Sequence, residues 1–386
     1  MERIDDAVRR VLSAKFALRL FEHPYADPDK ALDTDFPAEH QTINRQIAVK
    51  GMVLLKNDGL LPLRKAIKRV AVIGPYANQR RTLLGTWVND SLVNEVPTLI
   101  EAVQRALPDV QVLSTPTGLY DEMIMLAAEA DVVILALGES NARNGEYNSV
   151  ASLDLPVGQD ALVAAVGGLG KPVAAVIFSG RPVTLTHILP QVNALLFVWH
   201  PGNQGAPAVV DILLGEVNPS GKLPVSFPRS EGQIPSHYNH KSGRGLEPRY
   251  LDMPVTPLFP FGFGLSYTRF EFSDLVVNPA VIQAGKALHV SVTVTNAGER
   301  AGDEVVQCYL QDCVAERTRP VRELKGFKRV TLLPGESRRV TFTLGADELS
   351  YYGPAGKWVL EAGDFKVWLG SDSQAELEGG FSVVLP

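Results

Sequence analysis

Cysteine is nearly absent from this chain, which has only Cys308 and Cys313 among its 386 residues. Two thiols cannot build a disulfide framework, and they are too few for a four-ligand zinc site. We therefore expect two ordinary thiols in a β-rich region. Neither sign of charge is in large excess: the chain has 37 Lys and Arg and 43 Asp and Glu, which gives a net charge of −6. Such a chain has no overall field to attract nucleic acid or anionic lipid.

Long apolar runs are also lacking. The purest runs have six residues each, against the roughly 20 that a membrane-spanning helix needs; they are Val132–Leu137, Val173–Phe178 and Ala194–Trp199. Residues 1–20 mix charges among their apolar positions, so they lack the apolar stretch of a secretory signal. A hydrophobic content of 45% still allows sizeable cores. The length corresponds to two or three domains at roughly 150 residues each, and disorder, coiled coil and membrane spanning are excluded.

The first residues predict an amphipathic helix. Ile4, Val8, Val11 and Leu12 recur at helical spacing, and charged residues fill the opposite face. Because such a helix needs a partner surface, we expect it to be the last element of a preceding domain. The Pro-rich stretch 23–28 that follows is typical of a linker.

From about Gln41 to Phe227, buried strands alternate with helices. The predicted strands are Arg69–Gly74, Val110–Ser114, Asp131–Gly138, Pro172–Phe178 and Ala194–Trp199. The predicted helices are Thr98–Leu107, Leu119–Ala130, Gly158–Leu169 and Asn203–Leu214. Continuous Val, Ile and Leu strands separated by helices predict an α/β fold with a mostly parallel sheet covered on both faces. Functional sites of such sheets gather at the carboxyl ends of the strands.

After Glu271 the pattern changes to short alternating strands with Gly and Pro turns and no helices. The predicted strands are Leu288–Thr295, Val305–Leu310, Arg338–Leu344, Phe365–Gly370 and Phe381–Leu385. This pattern predicts an antiparallel β-sandwich of about 100 residues. The expected fold class is therefore α/β plus all-β.

The longest polar loop at a predicted strand end runs from Gly138 to Ser149. It carries two carboxylates, Glu139 and Glu146, with Asn, Ser, Arg and other polar residues around them. A glutamate on such a loop can act as a general acid if a closing partner surface raises its pKa. The residues alone leave a second interpretation open, in which both glutamates are solvated surface charges.

Other motifs are weaker. Gly74-Pro75-Tyr76-Ala77 follows a strand but is not GxGxxG, and Gly262-Phe263-Gly264 is interpreted as a packing turn. His237 and His240 form a pair without a third metal ligand at a suitable spacing. The sequence contains neither GxSxG nor HExxH, the signatures of other hydrolases. The hypothesis of a nucleotide-dependent α/β enzyme is supported by the parallel-sheet pattern alone.

A set of short motifs spans essentially the whole chain. In order they are IDDAVRRVL (4–12), GMVLLKND (51–58), VAVIGP (70–75), GTW (85–87), SGRP (179–182), NPSGKLP (218–224), PFGFGLSYT (260–268), LKGF (324–327) and LPGE (333–336). By this ordered set the chain resembles glycoside hydrolase family 3, and within it the bacterial periplasmic β-glucosidases.

The resemblance implies a three-part enzyme with a (β/α)8 barrel, an α/β sandwich and a fibronectin-III-like domain. This chain would contain the last barrel helix and linker (1–40), the α/β sandwich (41–230), a linker and packing segment (231–284) and the fibronectin-III-like domain (285–386). The implied reaction is retaining hydrolysis of a terminal β-D-glycosidic bond by a nucleophile and an acid/base carboxylate. The family's nucleophile is an Asp, usually in a Ser-Asp-Trp motif of the barrel. Since that tripeptide is absent here, we expect a C-terminal fragment that lacks the nucleophile and is inactive alone.

Carried over onto this sequence, the family's acid/base falls on Glu146, because Gly138-Glu139 matches the strand end that precedes it. The resemblance gives Glu139 and Arg143 a role in ordering the loop or binding substrate. Many relatives carry Ser-Arg or Asp-Arg shortly after the acid/base, whereas Tyr147–Ser152 of this chain contains no cation. A cation that would orient the loop is therefore expected to be missing from this segment.

The resemblance also implies a β-linked oligosaccharide or aryl glycoside as substrate, a separate barrel chain as a further partner, and no metal or other cofactor. The family is periplasmic or extracellular, but no signal peptide is visible in this chain, so the compartment stays open and the cytoplasm is an alternative. The alternative function is a non-catalytic carbohydrate-binding or scaffold protein. Its candidate sugar-stacking residues are Trp87, Trp199 and the Tyr351-Tyr352 pair.

Overall fold

The computed structural model of the chain describes residues 1–27, 30, 37–63, 66–88, 90–115, 117–242 and 250–384. It divides into two units, Met1–Asn44 and Arg45–Pro386. Among the helices in these ranges, none is both long and apolar enough to cross a membrane.

The first unit contains helix α1 (Glu2–Ala17) and the beginning of helix α2 (Ala38–Gly51). The predicted helix is present, with acidic residues in its first turn and a lysine in its last, as the helix dipole favours. No residue of α1 is buried, so its apolar stripe is exposed. The helix ends at Ala17, and two residues later Arg19 takes a left-handed φ of 54°, which does not continue a helix.

Six strands of the second unit form one sheet, in the order β1-β6-β5-β4-β2-β3. The strands are β1 (Val53–Asn57), β2 (Arg69–Ile73), β3 (Gln111–Leu113), β4 (Val132–Gly138), β5 (Val173–Phe178) and β6 (Ala194–Phe197). Neighbouring strands are parallel except for β1 and β6. The mostly parallel sheet is confirmed, and β1 is an antiparallel edge strand that the sequence analysis did not identify.

Helices cover both faces of this sheet. They are α3 (Arg81–Leu84), α4 (Leu99–Ala106), α5 (Tyr120–Glu129), α6 (Gln159–Gly167) and α7 (Gly205–Leu214). Alternate strand residues enter two separate cores, one shared with α4 and α7 and the other with α5 and α6. Strands β4 and β5 are buried along their whole length, which explains why their sequences are continuous apolar runs.

The remaining strands form a β-sandwich with a five-stranded sheet, a three-stranded sheet and a small hairpin. The strands are β7 (Phe270–Asn278), β8 (Val281–Gln283), β9 (Leu288–Asn296), β10 (Gly302–Asp312), β11 (Glu323–Leu332), β12 (Ser337–Leu344), β13 (Tyr351–Tyr352), β14 (Trp358–Val359), β15 (Gly363–Gly370) and β16 (Leu377–Val384). The larger sheet has the order β11-β10-β15-β16-β8 and the smaller one β12-β9-β7. Buried and less buried residues alternate along β9 and β12, as the period of two predicts.

Three details of the β-sandwich differ from the prediction. Strand β8 pairs with β16 in parallel, and the chain passes from the smaller sheet at β7 to the larger sheet at β8. A short helix, α8 (Ala346–Leu349), is present where none was expected, and the Glu348 carboxylate caps it by accepting a hydrogen bond from the Gly345 N–H at 2.8 Å. Strands β7 and β8 come from the segment 231–284, which was assigned to a linker. Leu385, the expected end of the last strand, lies outside the described residues.

Candidate active site

The polar loop starts at the carboxyl end of β4. Gly138 there has a φ of 136°, and a Cβ on it would lie 1.8 Å from the Phe178 carbonyl oxygen of β5. The Gln159 side chain accepts a hydrogen bond from the Gly138 N–H and donates one to its carbonyl, both at 2.8 Å. Only glycine fits such a strand end, and the contacts fix the direction in which the loop leaves the sheet.

Glu139, the next residue, is a buried carboxylate with 1% exposure. Its oxygens lie 3.0 Å from Arg143 Nε and 3.3 Å from Arg181 Nε, and one accepts a hydrogen bond from Ser179 Oγ at 2.9 Å. The two guanidinium groups compensate a charge that would be costly to bury alone. Burial, and to a smaller extent the charge of Glu139, raises the pKa of Tyr76 to about 12.

Side-chain hydrogen bonds hold the backbone of the loop after Glu139. The loop begins with a 3-10 turn at Asn141–Arg143. Thr86 Oγ1 lies 2.9 Å from the Asn141 carbonyl and 3.0 Å from the Asn144 carbonyl. Asn148 Nδ2 donates to the same Asn144 carbonyl at 2.9 Å. Thr86 therefore anchors the loop before Glu146, and the Asn148 side chain joins the two ends of the segment that carries Glu146.

Glu146 lies at the tip of this segment and is exposed. Both of its neighbours have left-handed backbone, with φ of 100° at Gly145 and 65° at Tyr147, so the chain turns sharply around it. Within the described ranges, the Glu146 carboxylate has no hydrogen-bond or ion-pair partner. The structure thus brings Glu139 and Arg143 together in one ion pair and leaves Glu146 outside it, available to a bound molecule.

A cavity of about 720 Å³ opens beside the loop. Its lining comes from loops that follow four strands of the sheet: Thr86, Trp87, Asn144, Gly145, Asn148, Ser149, Val150, Gly180, Arg181, Trp199 and His200. Trp87 is 76% exposed. The cavity therefore offers a flat aromatic ring, a guanidinium and several amides, a combination that suits a polar ligand with apolar faces. Gly145, the residue before Glu146, belongs to the lining, whereas Glu146 itself does not.

His200 lines this cavity between two glycines. A Cβ would lie 2.1 Å from its Nδ1 if placed on Gly85, and 3.0 Å from its Nε2 if placed on Gly180. In the part of the chain that the structure describes, His200 Nε2 is buried without a hydrogen-bond partner. Burial lowers the pKa of His200 below its ordinary 6.5, and the charge of Glu139 opposes this shift. The imidazole is therefore neutral near pH 7.

The remaining candidates from the sequence lie elsewhere or are packed. Trp199 lines the cavity but also packs edge-on against Phe197, with ring centroids 4.7 Å apart. Tyr351 is 3% exposed and Tyr352 is 61% exposed, both on the hairpin of the β-sandwich. Cys308 is buried and Cys313 exposed, and both are free. Across the described residues, no group of three or more His, Cys, Asp or Glu could hold a metal ion.

The sequence analysis missed Thr86, Arg181 and His200 as parts of this site. Thr86 and Arg181 belong to quoted motifs, but their role in holding the loop is visible only in three dimensions. The sequence feature that could have identified them is the predicted parallel sheet. Residues that follow β2, β5 and β6 must reach the same edge as the residues that follow β4.

The fold and the site together define a class of protein. A mostly parallel α/β domain carries a loop with an unpaired carboxylate beside a cavity, and a fibronectin-III-like β-sandwich follows it. Residues 52–267 match the glycosyl hydrolase family 3 C-terminal domain, and residues 304–373 match the fibronectin type III-like domain. The chain belongs to glycosyl hydrolase family 3, as its motifs implied.

Relatives support the same family over the full chain. A periplasmic beta-glucosidase of Salmonella typhimurium is 36% identical over 100% of this chain, which covers 56% of that protein. A beta-xylosidase of Formosa agariphila is 39% identical over 97% of this chain, which covers 54% of that protein. The crystal structure of a beta-glucosidase from Listeria innocua in complex with isofagomine matches 98% of this chain with a TM-score of 0.88 and 37% identity. This chain covers 55% of that structure, so it spans about half the length of its relatives.

Proposed function

We propose that this chain is the C-terminal portion of a retaining β-glycosidase of the β-glucosidase type, and that Glu146 is its acid/base. The observation that supports this proposal is the exposed Glu146 carboxylate, which has no partner in the described ranges and directly follows Gly145, a residue of the cavity lining. In such a reaction, an acid/base glutamate protonates the leaving oxygen in the first step and takes a proton from water in the second. A general acid works best when its pKa lies near the working pH, which a covering surface and a bound sugar achieve by excluding water.

Glu139 and Arg143 have a supporting role in this proposal. Their ion pair lies at the base of the loop, with Glu139 buried and Arg143 at the end of the 3-10 turn. The buried carboxylate is fully occupied by partners within the protein. We therefore assign both residues to ordering the loop rather than to contacting the sugar.

The nucleophile is proposed to come from polypeptide outside these 386 residues. A second carboxylate must lie about 5–5.5 Å from the acid/base across the sugar carbon, and the Ser-Asp-Trp motif that carries the nucleophile in the family does not occur in this sequence. The chain alone is therefore expected to be inactive, and a barrel domain, in the same or a separate chain, is expected to complete the site. The substrate class is a β-linked oligosaccharide or aryl glycoside, and the periplasm or the exterior of the cell is the proposed compartment.

A chimera tests this proposal. The part of the Salmonella protein that lies outside the match is joined to this chain, and hydrolysis of an aryl β-glucoside is compared for the chimera and the chain alone. We expect the chimera to hydrolyse the substrate and Glu146→Gln to lower its rate of hydrolysis strongly. Glu129→Gln, the matched change at an exposed glutamate of α5, should leave that rate unchanged. Turnover by the chain alone, lost on Glu146→Gln, would refute the missing nucleophile.

A non-catalytic carbohydrate-binding protein is the second candidate, and the 76% exposure of Trp87 beside the cavity favours it. The test is calorimetric titration of the chain alone with cellobiose or laminaribiose. This function predicts binding that Trp87→Ala abolishes and that Trp358→Ala leaves unchanged, because this indole is 72% exposed on the hairpin of the β-sandwich and does not line the cavity. The absence of binding to the unaltered chain would exclude it.

A further inference from the structure

Arg181 lies in the loop after β5 and reaches across to the loop after β4. One terminal nitrogen, Nη2, donates hydrogen bonds to two backbone carbonyls, those of Arg143 and Asn148, the latter at 3.1 Å. Its Nε lies 3.3 Å from Glu139 Oε2 and 3.4 Å from Asn144 Oδ1. A guanidinium has donors in a fixed planar fork, so one side chain can make these contacts at the same time.

The two carbonyls bound by Nη2 lie on either side of the segment 144–147. This segment contains Glu146 and the two left-handed residues next to it. The segment is therefore closed into a ring, with its backbone ends joined through one nitrogen atom. Because Tyr147 is not glycine, its φ of 65° costs free energy, and contacts of this kind must hold it there.

Glu139 holds the same guanidinium through its Nε. Its carboxylate has 1% exposure, and it pairs with Arg181 and Arg143 together. Arg143 therefore enters the network twice, because its side chain pairs with Glu139 while its carbonyl accepts from Arg181. The segment after Glu146, Tyr147–Ser152, has no cation of its own.

We propose that Arg181 is a positioning residue for Glu146: by bridging the carbonyls of Arg143 and Asn148, it sets the place of the Glu146 carboxylate without contacting the sugar at the reacting atoms. This inference rests on the proposed function. It assigns to the loop after β5 the orienting cation that the loop after β4 lacks. Misplacing a catalytic group by about 1 Å can cost on the order of 100-fold in rate, so the loss of the bridge should be measurable.

The first test uses the full chain and needs no activity. Hydrogen exchange of the backbone amides from Asn144 to Asn148 is compared in the unaltered chain and in Arg181→Lys, which keeps the positive charge but lacks the fork. A second variant, Arg181→Gln with Glu139→Gln, removes both charges, so that no buried carboxylate is left with only one of its two cations. We expect exchange to be roughly tenfold faster or more in both, since a hydrogen bond to a charged group contributes about 1.5–3 kcal/mol. Arg339→Lys, at an exposed arginine of β12, is the control and should change nothing.

The second test is a double-mutant cycle in the chimera. Arg181→Lys is made with Glu146 present and with Glu146→Ala, and kcat/KM is measured for a β-glucoside with a poor leaving group. A positioning role predicts a loss on the order of 10- to 100-fold when Glu146 is present and less than about threefold when it is absent. A merely structural role predicts the same loss in both backgrounds.

The outcomes separate the two proposals. Unchanged hydrogen exchange in both variants, or equal kinetic losses in both backgrounds, would overturn the assignment of Arg181 while leaving Glu146 in place. An unaltered rate for Glu146→Ala, in a chimera that retains Arg181, would instead overturn the proposed function and the inference with it. Faster exchange together with a loss that depends on Glu146 supports the inference.

Discussion

Lys222 Nζ lies 2.9 Å from Glu304 Oε1, and the two side chains are only 12% and 6% exposed. Lys222 lies after α7 within the α/β domain and Glu304 belongs to β10, so this ion pair joins the two domains of the second unit. Lys222 Nζ also donates to the Gly264 carbonyl at 2.9 Å. Burial raises the pKa of Glu304, and the charge of Lys222 opposes that shift.

Removing one partner of this pair should be strongly destabilising. Lys222→Met leaves the Glu304 carboxylate buried without its cation, and we expect a loss of about 3–5 kcal/mol in the free energy of unfolding. The double variant Lys222→Met with Glu304→Gln removes both charges and should recover most of that loss. Denaturant unfolding of the three chains measures both effects, and a double variant as unstable as the single one would contradict this account.

Replacement of Gly138 is expected to destabilise the fold and to disturb the loop that begins there. In Gly138→Ala the new methyl group would overlap the Phe178 carbonyl, and the φ of 136° would be strained as well. We expect a loss of about 3 kcal/mol or more. Gly170→Ala is the control, because Gly170 also has a positive φ but open space around it, so its cost should be about 1 kcal/mol. Equal melting temperatures for the two variants would show that the close approach at Gly138 is tolerated.

The buried imidazole of His200 should make the protein less stable in acid. Because burial lowers the pKa of His200 in the folded chain, the unfolded chain binds a proton first as the pH falls below about 6.5. The stability contribution is therefore present above that pH and is lost below it. Partly buried carboxyls with raised pKa values, such as Asp160 and Asp372, act in the opposite direction, so the comparison must be made between variants.

His200→Phe removes this titration and keeps an aromatic ring. We expect the melting temperature to fall less between pH 7.5 and pH 5 in this variant than in the unaltered chain. His237→Gln, at an exposed histidine, serves as the matched control. Parallel pH dependences for the unaltered chain and His200→Phe would exclude His200 as the source.

Much of the fold was predictable because the burial patterns are local. Runs such as Val132–Leu137 are apolar at every position, as strands covered on both faces must be, and they appear as β4 and β5. Strand β1 was missed because Val53–Asn57 follows directly on α2, and its antiparallel pairing with β6 is a long-range contact. The order of strands likewise depends on contacts that no local pattern contains.

The site was predictable only in part. The position of the loop and its two glutamates could be inferred from the sequence, because a polar insertion after a buried strand is a local feature. That Glu139 is 1% exposed while Glu146 is exposed could not be inferred, since the partners of Glu139 include Ser179 and Arg181 from the next strand's loop. The cavity forms only where loops that follow four strands meet, so the residues that line it could not be predicted from local sequence patterns.

We propose that Glu146 donates the proton to the leaving group. In the chimera, Glu146→Ala is compared with the unaltered enzyme on β-glucosides that have a poor leaving group, such as phenol, and a good one, such as 2,4-dinitrophenol. We expect kcat/KM to fall about 10²- to 10⁴-fold for the poor leaving group and far less for the good one, which departs without a proton. Azide should then accelerate turnover of the good substrate by attacking the glycosyl-enzyme and releasing its carboxylate, which yields the β-glycosyl azide. Equal losses on both substrates, with no azide product, would contradict the assignment of Glu146.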